Sequence, residues 1–286
     1  MDFYTVSPHT TAELLETIKQ NQENHFRFGA GYTDLIPELQ TQKQDDLTII
    51  NLARLKDKDF TSIKSSKEGI RIGALATMTD VLSNESLQRF PVLIEAVESL
   101  ASVQIRSVAT VGGNICTASP AGDVSCALVA LDAACEILDT GGKIRTVPIA
   151  EFFTGVKKSV LKKDEILRNV LVPGFTPSER TVSGFIKIGN RNSMEIALAS
   201  FAYHITADKD GVISSAGAAI GSVAETIRYV ASASEFLLGN SLDQLTKADS
   251  EKFADLVLEY ANPITDIRAS AWYRRKVLWN ISKSIF

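Results

Sequence analysis

Three observations predict an α+β fold for this 286-residue chain. Short apolar strand patterns alternate with helix patterns through the first 175 residues. From residue 176 onward strand patterns come first and three helix patterns follow. Between the two regimes stands Pro173-Gly174, a turn pair that places a domain boundary near residue 175. We therefore read residues 1–175 as one domain in two parts, about 1–55 and 56–175. Residues 176–286 are read as a second domain of antiparallel sheet and helices. No internal repeat and no low-complexity tract interrupts this order.

The first part opens with a short strand at 2–5. Thr10 or Thr11 caps a helix with Leu14, Leu15 and Ile18 on one face. His25–Phe28 reads as a strand, then an apolar helix-like stretch has Pro37 in its first turn. Leu47–Leu52 is another strand. In the second part Gly69–Leu75 alternates as a strand should. Thr77 or Thr79 caps a short helix that ends near Asn84, and Pro91 opens a helix with Val92, Leu93, Ala96 and Leu100 on its apolar side. Ala127–Asp132 is expected to be helical, and Ala133–Asp139 a strand before the Gly141-Gly142 turn. In the last part Val182–Ile188 and Glu195–Thr206 read as strands. A turn at Asp208-Lys209-Asp210-Gly211 leads to Val212–Gly221. Helix patterns follow at about 225–238, 242–260 and 267–284.

Composition narrows the function classes. Hydrophobic content of 45% and charged content of 22% are ordinary for a globular protein. A net charge of −4 with no basic block argues against a nucleic-acid partner. No run of 18 apolar residues is present, so no membrane span is expected. The first residues lack a charged-then-apolar leader pattern, which gives a cytoplasmic reading. Cys116, Cys126 and Cys135 match no zinc or ferredoxin spacing and read as buried thiols; a reachable Cys116, inside the glycine loop, is the alternative. His9, His25 and His204 have no ligand-spaced partner. No metal is expected on this chain.

The chemistry concentrates in two glycine segments. Residues 110–126 read TVGGNICTASPAGDVSC. Gly112 and Gly113 allow a sharp turn and close approach to a ligand, and successive amides in such a turn form an anion nest. Thr110, Asn114, Thr117 and Ser119 add side-chain donors. Asp123 is placed to cap the apolar run from Val124 to Leu131. The simpler reading of Gly-Gly is a tight turn before a helix. Residues 26–35 read FRFGAGYTDL, a strand running into Phe28, Gly29, Ala30, Gly31, Tyr32, Thr33 and Asp34. Two such turns suit one diphosphate held from both sides, at roughly 1.5–3 kcal/mol per hydrogen bond to a charged group.

At these residues the chain resembles a known family. TVGGNICTASPAGD is similar to the second FAD motif of the flavoprotein subunits of molybdenum hydroxylases, the xanthine dehydrogenase and carbon monoxide dehydrogenase family. Thr110, Gly112, Gly113, Asn114, Ala118, Ser119, Pro120 and Asp123 match. FGAGYTDL resembles the first motif, usually A-G-G-T-D-L; Tyr32 stands where the family has its second glycine. Ile72, Gly73, Ala74 and Thr77 extend the resemblance, as do Gln104-Ile105-Arg106, Phe152-Phe153-Thr154-Gly155 and Asp164-Glu165-Ile166-Leu167. Phe185, Lys187 and Arg191 match a Y/F-x-K-x-x-x-R pattern, followed by Glu195-Ile196-Ala197. The segment from Ile267 to Arg275 resembles D-x-R-A-S-x-x-Y-R-R.

The resemblance implies a two-part, PCMH-like FAD-binding domain and an electron-transfer role. It implies electrons arriving from 2Fe–2S clusters on a partner subunit and leaving to an acceptor such as NAD. It also implies a molybdenum cofactor on a third, larger chain. In relatives the backbone at the Leu167 position lies against the flavin, and the lysine at the Lys187 position lies near its ring. Alternation puts Phe185 and Lys187 on one face, Ile186 and Ile188 on the other. If the isoleucines face the domain core, Lys187 faces solvent or the first domain. Arg106 reads as a solvated charge or as loop support. Two other readings remain: a Rossmann-type nicotinamide dehydrogenase, in which Asp34 spoils the third glycine of G-x-G-x-x-G, and a scaffold without flavin, for which Tyr32 is the only support.

Overall fold

The computed structural model describes residues 3–41, 46–174, 180–191 and 194–286. The expected boundary near residue 175 lies outside the described residues.

Strand Leu47–Asn51 is the centre of a three-stranded parallel sheet, flanked by Phe3–Val6 and Phe26–Gly29. Helix Thr11–Asn21 is capped by Thr10, whose side chain accepts from the Glu13 amide. Its Leu14 and Ile18 are buried with Ile50, Leu52 and Phe60. Helix Leu35–Thr41 buries Leu35 and Leu39 against Leu47 and Ile49. This is the small βαβ-like unit.

The second unit is built on a five-stranded sheet whose neighbours all run antiparallel. Its order is Ile63–Ser65, Gly69–Gly73, Glu165–Pro173, Ala134–Asp139, Ile144–Pro148. Helix Met78–Ser83 starts at a reciprocal cap between Thr77 and Asp80 and ends at Asn84. Helix Pro91–Glu98 has its proline in the first turn, where the missing N–H costs nothing. Arg106 supports the following loop: its guanidinium donates to the carbonyls of Leu100 at 2.7 Å and Glu98 at 3.2 Å.

Residues 180–286 form an antiparallel meander of Arg180–Ile188, Ala199–Ala207, Ile213–Gly221 and the short Arg228–Tyr229. Helices Ala231–Leu237, Lys247–Glu259 and Ala271–Lys283 follow. Glu195–Leu198, expected to be strand, precedes the pairing, which begins at Ala199. One face of the sheet packs Phe201, Ile205 and Ile220 against these helices. The other face gives Phe185, Ala202 and Ala219 to the core of the second unit. Helix Asp123–Ala130 lies in that core with all eight residues buried. Six of its residues, Val124 and Cys126 to Ala130, are apolar, as suits a helix with no solvent-facing side, and Ser125 and Asp123 find partners within the protein. It approaches the sheet so closely that a Cβ on Gly217 would stand 2.0 Å from the Ala130 carbonyl oxygen.

Candidate functional site

The first glycine segment leaves strand Phe26–Gly29 and turns at Tyr32, whose φ is 62°. A non-glycine residue in the left-handed region costs roughly 1–2 kcal/mol. The Tyr32 ring offsets that cost by packing on Leu35, Leu39, Leu47 and Ile49. It also lies over Gly29, where an added Cβ would meet the ring at 2.5 Å. The amides of Gly31, Tyr32, Thr33 and Asp34 donate to no atom among the described residues. Burial of the phenol pushes its pKa above the ordinary value.

The second glycine segment departs from the expected turn. Val111–Thr117 is a helix, with Thr110 as its cap and Gly112 and Gly113 in its first turn. Neither glycine has positive φ. Their amides are satisfied inside the protein: Gly112 donates to the Ala74 carbonyl at 2.7 Å and Gly113 to Thr110 Oγ1 at 3.0 Å. The expected contribution of the Gly112 and Gly113 amides to a diphosphate grip is corrected accordingly, since both already donate inside the protein. Gly112 is required by packing, because a Cβ there would stand 2.7 Å from both Cβ and carbonyl oxygen of Ala74. Asp123 is not the cap of the next helix either. Gly122 holds that position, and Asp123 is the first helical residue.

The two segments meet. A Cβ on Gly31 would stand 2.0 Å from the Val108 carbonyl oxygen. Thr117 Oγ1 donates to Asp34 at 3.1 Å. Lys157, in the turn after Gly155, bonds Glu38 at 2.7 Å while its amide donates to the Ala118 carbonyl. Sequence reading missed the Glu38–Lys157 link, which spans 119 residues and leaves no local pattern. Leu167 also joins this group through the backbone. It borders a register shift before Asn169, where the Arg168 carbonyl accepts from Ala74, whose own carbonyl accepts from Gly112.

Lys187 and Asp123 form a separate pair. Ile186 and Ile188 pack on the C-terminal core, so Lys187 turns to the N-terminal half. Its ammonium sits 2.6 Å from Asp123 Oδ2 and 3.2 Å from the Ser99 carbonyl. Burial pushes the Asp123 carboxyl up to about 6, against the pull of Lys187. Asp123 Oδ1 is buried without a hydrogen-bond partner among the described residues. An open cleft of about 310 Å³ begins beside the pair, lined by Ser99, Lys187, Ile188, Gly189, Arg191 and Glu195.

Other candidates divide by side chain. Phe28 packs edge-on against Phe26 at 5.4 Å beside the small-unit core. Asn114 accepts from Ser125 at 3.3 Å, and Ser119 caps the Ala121 amide at 3.2 Å. Cys116 is exposed, whereas Cys126 and Cys135 are buried. Among the described residues no helix is long and apolar enough to cross a membrane. The unpaired turn amides beside a glycine pressed on backbone, together with the orphaned Asp123 oxygen, fit a flavin dinucleotide.

Residues 1–175 match the family described as FAD binding domain in molybdopterin dehydrogenase, and residues 185–286 match the CO dehydrogenase flavoprotein C-terminal domain. The chain is 30% identical to a xanthine dehydrogenase FAD-binding subunit of Escherichia coli O157:H7, over 99% of this chain and 95% of that one. It is 27% identical to a nicotinate dehydrogenase FAD-subunit of Eubacterium barkeri, over 100% and 95%. The fold superposes on carbon monoxide dehydrogenase of Hydrogenophaga pseudoflava with a TM-score of 0.89 at 24% identity, covering 99% of this chain and 95% of that one. Relatives of this kind are oxidoreductases. The chain therefore belongs to the FAD-binding subunits of the molybdopterin dehydrogenase family.

Proposed function

We propose that this chain is the electron-transfer subunit of a molybdenum-dependent hydroxylase or dehydrogenase. It would take electrons from iron–sulfur centres on a partner subunit and pass them to an acceptor such as NAD. The reading is carried by one observation above the rest. A turn whose four amides, Gly31 to Asp34, find no acceptor among the described residues is clamped against the helix Val111–Thr117 through Asp34 and Thr117. Flavin supplies the redox chemistry; the protein supplies position and electrostatics.

The chain's own residues divide the work in this reading. The Gly31–Asp34 amides hold the diphosphate. Thr117, Asn114 and Ser119 offer side-chain oxygens and nitrogen nearby, and Thr110 holds the helix that presents them. The backbone about Leu167 and the Lys187 side chain flank the flavin ring, as the resemblance implies, and Asp123 is brought there by its pairing with Lys187. The single unpaired oxygen of Asp123 is an acceptor ready for a donor of the ligand. We place the domain boundary near residue 175. The molybdenum site and the 2Fe–2S clusters belong to partner chains, as in the multi-subunit relatives.

Purification of the chain with whatever copurifies tests the reading. A yellow protein absorbing near 450 nm, about that of flavin itself, with FAD released on denaturation, is the expected result. Partner chains should contain molybdenum and iron. Rapid mixing of the complex with NAD after reduction then reports the acceptor. A folded, colourless chain that takes up no FAD would overturn the proposal.

A further inference from the structure

The least expected residue in the first glycine segment is Tyr32. Its backbone is left-handed at φ 62°, a conformation in which a side chain is strained. Its ring lies over Gly29 and packs with Leu35, Leu39, Leu47 and Ile49. Gly29 provides the seat: its missing Cβ leaves the space that ring atoms Cε1, Cζ and the hydroxyl oxygen now fill at 2.5–2.6 Å from where a Cβ would be. Gly29 itself has no positive φ, so its glycine is explained by this seat and not by backbone freedom.

The amides of Gly31 to Asp34, which find no acceptor among the described residues, belong to the same turn. Three constraints therefore fix the turn. Gly31 is pressed on the Val108 carbonyl, Tyr32 is held by its ring, and Asp34 is tied to Thr117. The Tyr32 carbonyl also accepts from the Ile36 amide at 3.2 Å, which fixes the exit from the turn. Without the ring, a residue other than glycine at position 32 would relax toward negative φ and turn its amide and the next one away.

We infer that the Tyr32 ring, seated on Gly29, is a positioning device that locks the first glycine turn in its anion-binding shape and so sets the affinity for the FAD diphosphate. This rests on the FAD reading above. The device acts on the diphosphate end, so it applies to ADP as it does to FAD. It acts through ring packing, so the hydroxyl is dispensable. Gly29 and Tyr32 act as one unit, so damage to either is not additive with damage to the other.

The test uses the full chain freed of flavin, with FAD and ADP as calorimetric probes. Tyr32→Phe should bind both within about twofold of wild type. Tyr32→Ala and Gly29→Ala should each weaken both by about tenfold, and the double variant by little more than either. A thermal melt of each apo protein identifies any variant that fails to fold; Gly29→Ala leaves Tyr32 intact and is the second probe of the seat. The inference is overturned if Tyr32→Ala keeps wild-type affinity for ADP, or if Tyr32→Phe is as weak as Tyr32→Ala. Failure of wild type to bind FAD would instead sink the functional reading itself.

Discussion

The Lys187 ammonium and the Asp123 carboxylate stand 2.6 Å apart, with side-chain exposures of 11% and 4%. They join the first strand of the C-terminal sheet to the first turn of the buried helix Asp123–Ala130. Desolvating two charges is expensive, and breaking such a pair from one side leaves an uncompensated buried charge.

We expect Lys187→Met to lose about 3–5 kcal/mol of stability, measured by urea unfolding of the flavin-free chain. Adding Asp123→Asn should recover part of that loss, because it removes the stranded charge. A coupling energy near zero across the four proteins would show that the two charges do not depend on each other. The same variant should alter the flavin midpoint potential if the pair flanks the ring, and potential and stability can be read on one preparation.

His204 sets an acid limb. It is buried in strand Ala199–Ala207, its Nδ1 3.0 Å from Ser183 Oγ, and burial pulls its pKa down to about 4. A base whose folded pKa lies below its unfolded value of 6.5 takes up a proton on unfolding between those values. Stability from the neutral ring is therefore full above pH 6.5 and is lost as pH falls to about 4. Asp123 runs the other way, since an acid raised from 3.8 to about 6 loses stability as pH rises through that interval. Comparison with His204→Gln isolates the histidine. The stability difference between the two proteins should change by on the order of 3 kcal/mol from pH 7 to pH 4. Parallel pH profiles would remove His204 from the account.

The two adjacent glycines should differ in sensitivity. Gly112→Ala puts a Cβ 2.7 Å from the Ala74 Cβ and carbonyl oxygen, so backbone must move. Overpacking of this kind costs about 1–3 kcal/mol. Among the described residues, Gly113→Ala meets only Thr110 Oγ1 within 4 Å, at 2.9 Å. In a helical residue, alanine for glycine is intrinsically favourable by about 0.8–1.0 kcal/mol. We expect Gly112→Ala to unfold at clearly lower urea and Gly113→Ala near wild type. Equal losses would mean that contact with Ala74 does not decide the matter.

Local chemistry made much of this fold readable. Thr10 and Thr77 cap the helices assigned to them, Pro91 opens its helix, and Asp208 to Gly211 turn the chain between paired strands. Gly112 and Gly113 misled because glycine is a poor helix former; the close bed of Ala74 overrides that preference. Strand Glu165–Pro173 went unnamed because its centre holds Arg168 and Asn169 at a bulge, which breaks the alternation. Asp123 and Lys187 were each singled out, yet their pairing across 64 residues was invisible. Neither residue type nor spacing encodes a contact that the packing of a sheet on a helix creates.

The close bed of Gly217 on Ala130, with Phe185, Ala202 and Ala219 buried in the N-terminal core, makes the C-terminal sheet a shared wall. A wall common to two rooms cannot be taken down with one of them. The chain should melt in one transition, with calorimetric and van't Hoff enthalpies equal, although two family segments divide its sequence. Evolution can recombine such segments only together with the surface that each presents to the other.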